Sequence, residues 1–520
     1  MKLRHVAGGA VAALGAVAVR DLTQKKHALQ RNFPVIAHFR YMLETIGPEL
    51  RQYIVTSNDE ERPFSRDQRR WIYASAKLEN NYFGFGTDND VERQSGYTAI
   101  KHRTFADQVP PVLGHQHLDI DLPSAKVLGG PRGRAKAFRP NSLINISAMS
   151  FGSMSGNAIM ALNRGAKQAG CMHNTGEGGL SPYHRQGGDL ILQIGTSYFG
   201  CRDADGNFDL DKLVEVVESG PVRAIEIKLS QGAKPGLGGL LPAAKVTAEI
   251  AEIRGIREGE DCASPSRHSA FSNVDEMLDF VERIAEATGL PVGIKSAVGE
   301  MGFWEELAEL MADRTRGVDF ITIDGGEGGT GASPLVFSDS VALPFRTGFA
   351  KVYSVFARAG LTDDITFVAS AKLGVPENAV VAFALGADMI NVAREAMLAI
   401  GCIQSQKCHT DECPTGVATQ NAWLAHGLDP TDKGVRCGNY ILAVRRELLK
   451  ICEAVGVAHP GLITTSDVDI MEGNHSSTGL AEIFGYEPGW GELGPQVWQG
   501  IIDVMHPVRG DSERPPSDHA

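Results

Sequence analysis

No run of lysine or arginine long enough to follow a phosphate backbone occurs in the 520 residues. Acidic residues outnumber basic ones, 63 to 50, for a formal charge of −13. Both facts argue against a nucleic-acid partner. No apolar stretch reaches the roughly 20 residues needed to cross a bilayer. The nearest is residues 6–19, which is rich in Gly and Ala and has basic residues on both sides (Lys2, Arg4; Arg20, Lys25, Lys26). It fits neither a clean signal peptide nor a strong anchor, so a weak membrane association and a surface-packed tail both stay open. Internal repeats and low-complexity tracts are also missing. Hydrophobic residues at 43% and charged residues at 22% are ordinary for a soluble globular enzyme. The length suffices to bury a large core, and a barrel with extensions would use most of it.

Cysteine is sparse and unevenly placed. Five of the eight (Cys171, Cys201, Cys262, Cys437, Cys452) stand singly, whereas Cys402, Cys408 and Cys413 fall within twelve residues and the last precedes Pro414. Thiolates at such intervals can converge on one soft metal centre, and Cys-Pro recurs at the end of iron–sulfur ligand runs. Three local ligands suggest a [3Fe-4S] cluster or a site with a distant fourth ligand. Three unrelated thiols remain the alternative. A cluster would need a reducing compartment, so a cytoplasmic-facing protein is expected.

Residues 1–20 form the apolar N-terminal segment, and 21–110 read as a helical collar, with helical spacing of apolar residues over 32–55. Residues 111–450 are expected to be the main domain and 451–520 a C-terminal extension, disordered after about 508. In the main domain, short apolar runs alternate with helical segments. Candidate strands cover 143–148, 171–175, 190–194, 224–229, 291–295, 319–324, 365–369 and 389–393. Eight near-continuous apolar strands predict a parallel α/β (β/α)8 TIM barrel, with a doubly wound open sheet as the runner-up.

Ligand groups of such a barrel lie at the C-terminal ends of its strands. The segments there are SAMSFGSMS (147–155), NTGEGG (174–179), KLSQGAKPGLGG (228–239), Lys295, DGGEGGTGAS (324–333), SAKLG (370–374) and Arg394. Glycine lets backbone approach a ring or phosphate, so these loops suit a flavin mononucleotide. Ala148, Met149 and Ser150, with Asp324, Gly325 and Gly326, are candidate flavin contacts. Gly374 and Arg394 are placed for its phosphate, and Lys228 or Lys295 for negative charge on the reduced ring.

SAMSFGSMS, NTGEGG, KLSQGAKPG, DGGEGGTGASP and C-x5-C-x4-C-P-x-G-V-A-T-Q, in that order over residues 141–420, resemble the flavin-binding synthase domain of the glutamate synthase large subunit. The segment 31–53 resembles the N-terminal region of its short, free-standing bacterial relatives. The resemblance implies FMN and one [3Fe-4S] cluster, with Cys402, Cys408 and Cys413 as ligands. It implies that 2-oxoglutarate and ammonia condense to 2-iminoglutarate, which reduced FMN converts to L-glutamate. By the same resemblance, Lys228 and Lys234 sit at flavin and substrate as catalytic groups. Arg254, with Lys234, contacts the oxoacid carboxylate, and Glu177 is a catalytic group near the ammonia entry. An electron donor such as ferredoxin or a reductase subunit is expected, as is a homo-oligomer.

Two departures matter. The family reads KPGEGGQLP where this chain reads KPGLGGLLP, with Leu237 and Leu240 replacing a glutamate and a substrate-contacting glutamine. Losing one polar contact to a carboxylate costs on the order of 1–3 kcal/mol, or signals a less polar substrate. The glutaminase domain of the family is also not expected here, so ammonia or another amine would come free or from a partner. The alternatives are an FMN dehydrogenase of another amino or N-alkylamino acid, and an electron-transfer subunit with no substrate of its own. His268 and His409 are weighed as structural or supporting residues, and Met149 and Met154 as packing against the flavin.

Overall fold

The computed structural model describes residues 2–57, 60–106, 121–473 and 475–505. The expected boundary at 110/111 and the expected disordered tail after 508 lie outside the described residues. Two compact units are found, residues 1–69 and 70–520.

The first unit is helical: α1 (Lys2–Thr23), α2 (Ala28–Asn32) and α3 (Ala37–Leu50), the last continuing as a π-helical turn over Arg51–Val55. The helix expected over 32–55 is interrupted, because Pro34 cannot continue α2 and Val35 adopts φ 66°. A β-branched residue there is strained. Asp21 compensates: its carboxylate accepts the Val35 N–H at 2.8 Å and contacts His38 Nε2 at 2.9 Å. No helix among the described residues is long and apolar enough to cross a membrane.

The strands of the second unit, in chain order, are β1 (Thr98–Ile100), β2 (Ile144–Ile146), β3 (His173–Asn174), β4 (Leu190–Ile194), β5 (Val222–Lys228), β6 (Leu240–Leu241), β7 (Cys262–Ala263), β8 (Val292–Ser296), β9 (Phe320–Asp324), β10 (Thr366–Ser370), β11 (Met389–Val392), β12 (Val468–Met471) and β13 (Ser477–Gly479). β2, β3, β4, β5, β8, β9, β10 and β11 close a parallel barrel, the last pairing with the first. The expected TIM barrel is therefore the fold, and every expected strand contributes to it. Its strands are buried on both faces, which is why they read as continuous apolar runs. Each fully buried Ile or Val contributes about 1.5–3 kcal/mol. The pairs β6–β7 and β1–β12–β13 stand apart as small antiparallel sheets.

Two helices brace the β2 end. Gly156–Ala169 is capped by Ser155, whose Oγ accepts the Ala158 N–H. It packs along the 26-residue helix Pro430–Val455. Their contact is close at Gly165, where any Cβ would overlap Cys437.

Candidate active site

Inside the barrel, Glu226 of β5 is fully buried and accepts three neutral donors: Asn174 Nδ2 at 2.8 Å, Gln193 Nε2 at 2.7 Å and Thr322 Oγ1 at 2.6 Å. Its charge is thus met by hydrogen bonds rather than by a cation. Two residues on, the same face of β5 ends in Lys228 at the C-terminal mouth.

Lys228 and Lys295 are register partners across β5 and β8. Neighbouring ammonium groups would repel, and each has its own carboxylate: Lys228 Nζ lies 3.0 Å from Glu177 Oε1, and Lys295 Nζ lies 3.6 Å from Asp324 Oδ2. Asp324 also accepts the Gly232 N–H at 2.9 Å, tying the end of β9 to the loop after β5. That approach requires glycine, since a Cβ at 232 would collide with the Gly325 carbonyl. Gly176, at φ 66°, has the same need: its Cβ would fall 2.7 Å from Ser150 N, where the loops after β2 and β3 meet.

Lys234 sits in the loop after β5, 95% buried, and makes no side-chain hydrogen bond or ion pair among the described residues. Burial and the charge of Lys228 lower its pKa to about 8, against the attraction of Glu177. Burial alone would raise the pKa of Glu177, but Lys228, Lys234 and Arg254 hold its carboxyl below the ordinary range. Glu177 is therefore an ionised group inside a cluster of cations.

Arg254 ends the helix Ala248–Arg254 and turns back to the loop after β2. It donates to Phe151 O at 3.0 Å and reaches Ser150 Oγ at 3.5 Å, with its guanidinium over the Phe199 ring. Its Nε is buried without a partner. A cavity of about 280 Å³, lined in part by Phe199, Arg202 and Cys262, lies beside it.

The other expected residues have defined partners. Gly374 donates its N–H to Glu395 Oε1 at 3.0 Å and accepts from Tyr440 at 2.6 Å, so that N–H is already engaged. Arg394 donates to Glu327 O at 2.6 Å, and burial lowers its pKa. Ala148, Met149 and Ser150 lie on the loop after β2, and Gly325 and Gly326 on the loop after β9. His268 is buried between Tyr198 Oη (3.1 Å) and Lys228 O (3.0 Å). The carbonyl can only accept, so Nε2 carries the proton and Nδ1 accepts from Tyr198. Burial depresses its pKa further. It positions the Lys228 backbone.

Among the described residues, no three His, Cys, Asp or Glu side chains are gathered in a way that could hold a metal ion. Cys408 and Cys413 lie close enough for their charges to interact, and both act on the buried Lys245. Cys402 is anchored through its carbonyl, which accepts from Tyr73 at 2.7 Å. His409 is exposed.

The cysteine loop is stitched to the loop after β2. Lys245 Nζ bridges Ser153 O (3.1 Å) and Ala418 O (2.9 Å). Gln420 Nε2 donates to Gly152 O and Met154 O, and Ser155 Oγ donates to Gly416 O at 2.6 Å.

Sequence reasoning missed Glu226, Gln231, Lys245 and Gln420. For Glu226 a signal existed, a carboxylate within an apolar strand. Gln231 lies inside KLSQGAKPG and bonds Lys228 Nζ at 3.2 Å and Gly329 O at 3.0 Å. Lys245 and Gln420 carry no local signal, because their partners are 92 to 268 residues away.

A family model described as a conserved region in glutamate synthase matches residues 108–458. The glutamate synthase large subunit-like protein YerD of Bacillus subtilis is 38% identical over 472 residues, 85% of this chain and 89% of its own length. An archaeal glutamate synthase (NADPH) of Methanocaldococcus jannaschii is 33% identical over 363 residues, 68% of this chain and 67% of its own. An archaeal-type glutamate synthase (NADPH) of Thermotoga neapolitana is 35% identical over 318 residues, 60% of this chain and 59% of its own.

Proposed function

Because the chain belongs to the glutamate synthase family, we propose that it is an FMN- and iron–sulfur-dependent oxidoreductase that reduces 2-iminoglutarate, formed from 2-oxoglutarate and ammonia, to L-glutamate. The observation that carries this reading is Lys234, a buried ammonium with no hydrogen-bonded anion in a mouth that also holds Lys228 and Arg254. Such a site favours a small carboxylate ligand.

Lys234 and Arg254 bind the oxoacid carboxylates and orient the carbonyl. Glu177, kept ionised, attracts the entering ammonium ion to the mouth by charge, and Lys228 holds that carboxylate in place. The donor set also fits a flavin: Lys228 and Lys295 bring two cations to the mouth, where negative charge on a reduced ring is stabilised. The loops of Ala148–Ser150 and Gly325–Gly326 would flank it, with Arg394 toward its phosphate. When bound, reduced FMN supplies the hydride. Cys402, Cys408 and Cys413 are the proposed [3Fe-4S] ligands; their soft donors and the neighbouring Lys245 cation suit thiolate-bound iron. Electrons would come from a ferredoxin or a reductase subunit.

A second reading rests on Leu237 and Leu240. Both are exposed, Leu237 on the loop that carries Lys234 and Leu240 at the start of β6 just beyond it. Apolar side chains there favour a less polar amino or N-alkylamino acid, oxidised rather than formed.

Anaerobic photoreduction of the purified protein, followed by 2-oxoglutarate with ammonium, separates the two. Flavin reoxidation that requires both additions, with glutamate formed, is the expected result. A flavin that stays reduced until another oxo or imino acid is added supports the second reading. Iron and acid-labile sulfide content tests the cluster separately.

A further inference from the structure

We propose that the outer face of α3 and its π-helical continuation docks on an anionic lipid surface, lying in the plane of the headgroups rather than crossing the bilayer. Ile36, Phe39, Leu43, Ile46, Leu50 and Ile54 recur at intervals of three or four residues and so form one stripe. All six are exposed, from 40% at Leu50 to 76% at Ile36. An apolar stripe of this length is unusual on a surface that meets only water.

The stripe is not the core of its own unit. The inward face of α3 is already taken: Ala37 is buried, His38 contacts the Asp21 carboxylate, and the Tyr41 ring meets His27 at 5.3 Å. On α1, Val11, Leu14 and Leu22 are likewise exposed.

Charge selects the occupant. Residues 1–55 hold eight Lys or Arg and three Asp or Glu, a net +5 within a chain whose total is −13. Arg20, Lys25, Lys26 and Arg31 lie in or beside the connection between α1 and α3. Pairing with a second copy of this segment would bring +5 toward +5. α3 and its continuation also end at Val55, short of the roughly three to four heptads that a stable helical pair needs. A bilayer rich in anionic headgroups complements both features, with apolar side chains entering the acyl boundary and basic ones meeting the headgroups.

The test is co-sedimentation of the full-length protein with two kinds of vesicle, phosphatidylcholine alone and phosphatidylcholine with phosphatidylserine. Binding to the serine-containing vesicles that weakens with added salt is expected. It should fall about tenfold or more in Phe39→Glu/Ile46→Glu, and also in Lys25→Glu/Lys26→Glu, which leaves the stripe untouched. Flavin content should be unchanged in both, since neither pair lies in the barrel. Absence of binding to anionic vesicles overturns the proposal, as does equal binding by wild type and the lysine variant. So does a wild-type dimer that Phe39→Glu/Ile46→Glu converts to a monomer without any vesicle binding.

Discussion

Glu226, fully buried, and Glu177, half-buried at the mouth, are both carboxylates of the barrel, and they are held in opposite ways. Glu226, inside, is met by three neutral donors and is left with nothing to bind. Glu177, at the mouth, is held by cations that outnumber it, one of which has no hydrogen-bonded anion of its own. The inner layer is closed and fixes the strands. The outer layer carries surplus charge that a ligand can complete. Within one barrel, structure passes into function where internal pairing stops.

The sharpest way to break the inner layer is Glu226→Ala, which strands three buried donors at once. A loss of about 3–5 kcal/mol in unfolding free energy is expected, measured by chemical denaturation. Glu226→Gln retains an acceptor and should lose clearly less. A variant Glu226→Ala as stable as wild type would mean that this layer is not closed by the carboxylate.

At the mouth, Lys234→Met removes the unsatisfied cation while leaving the fold alone. A fall in kcat/KM for the oxoacid of roughly 100-fold is expected, with flavin content and melting temperature unchanged. Loss of flavin instead would assign Lys234 to the cofactor.

The lowered pKa of Lys234 adds a pH signature. Its ammonium is present below about pH 8 and is lost as pH rises through that value, so kcat/KM should fall about tenfold per unit above it. Lys234→Arg, protonated throughout this range, should remove that limb even if its overall activity is lower.

The smallest effect belongs to the N-terminal unit. The Val35 N–H, with His38, holds the Asp21 carboxyl below its ordinary value. A depressed carboxylate stabilises above its unfolded pKa of about 3.9 and loses that contribution as pH falls through the folded value. Amide exchange at Val35 should therefore quicken below about pH 4 while the barrel amides stay protected. Equal protection at both sites would show that Asp21 does not secure the unit.

How much of this was legible depended on the range of the interaction. The strand Leu190–Ile194 matches its expected bounds because burial on both faces writes an unbroken apolar run. Lys228, Lys234 and Glu177 were legible through the family resemblance of KLSQGAKPG and NTGEGG, and the structure brings the three together at the mouth. The helix Pro430–Val455 was not, since glycines 434 and 438 and polar residues such as Asn439 blur its pattern. Those small residues are there to admit the Gly156–Ala169 helix. The stitches of Lys245 and Gln420 were not legible either, because they join segments far apart in sequence.

Those stitches make two distant segments interdependent. The backbone carbonyls of Gly152, Ser153 and Met154 on one side, and of Gly416 and Ala418 on the other, share donors from Lys245, Gln420 and Ser155. The loop after β2 and the cysteine segment therefore depend on each other for their shape. Displacing either segment would leave backbone carbonyls of the other without their donors.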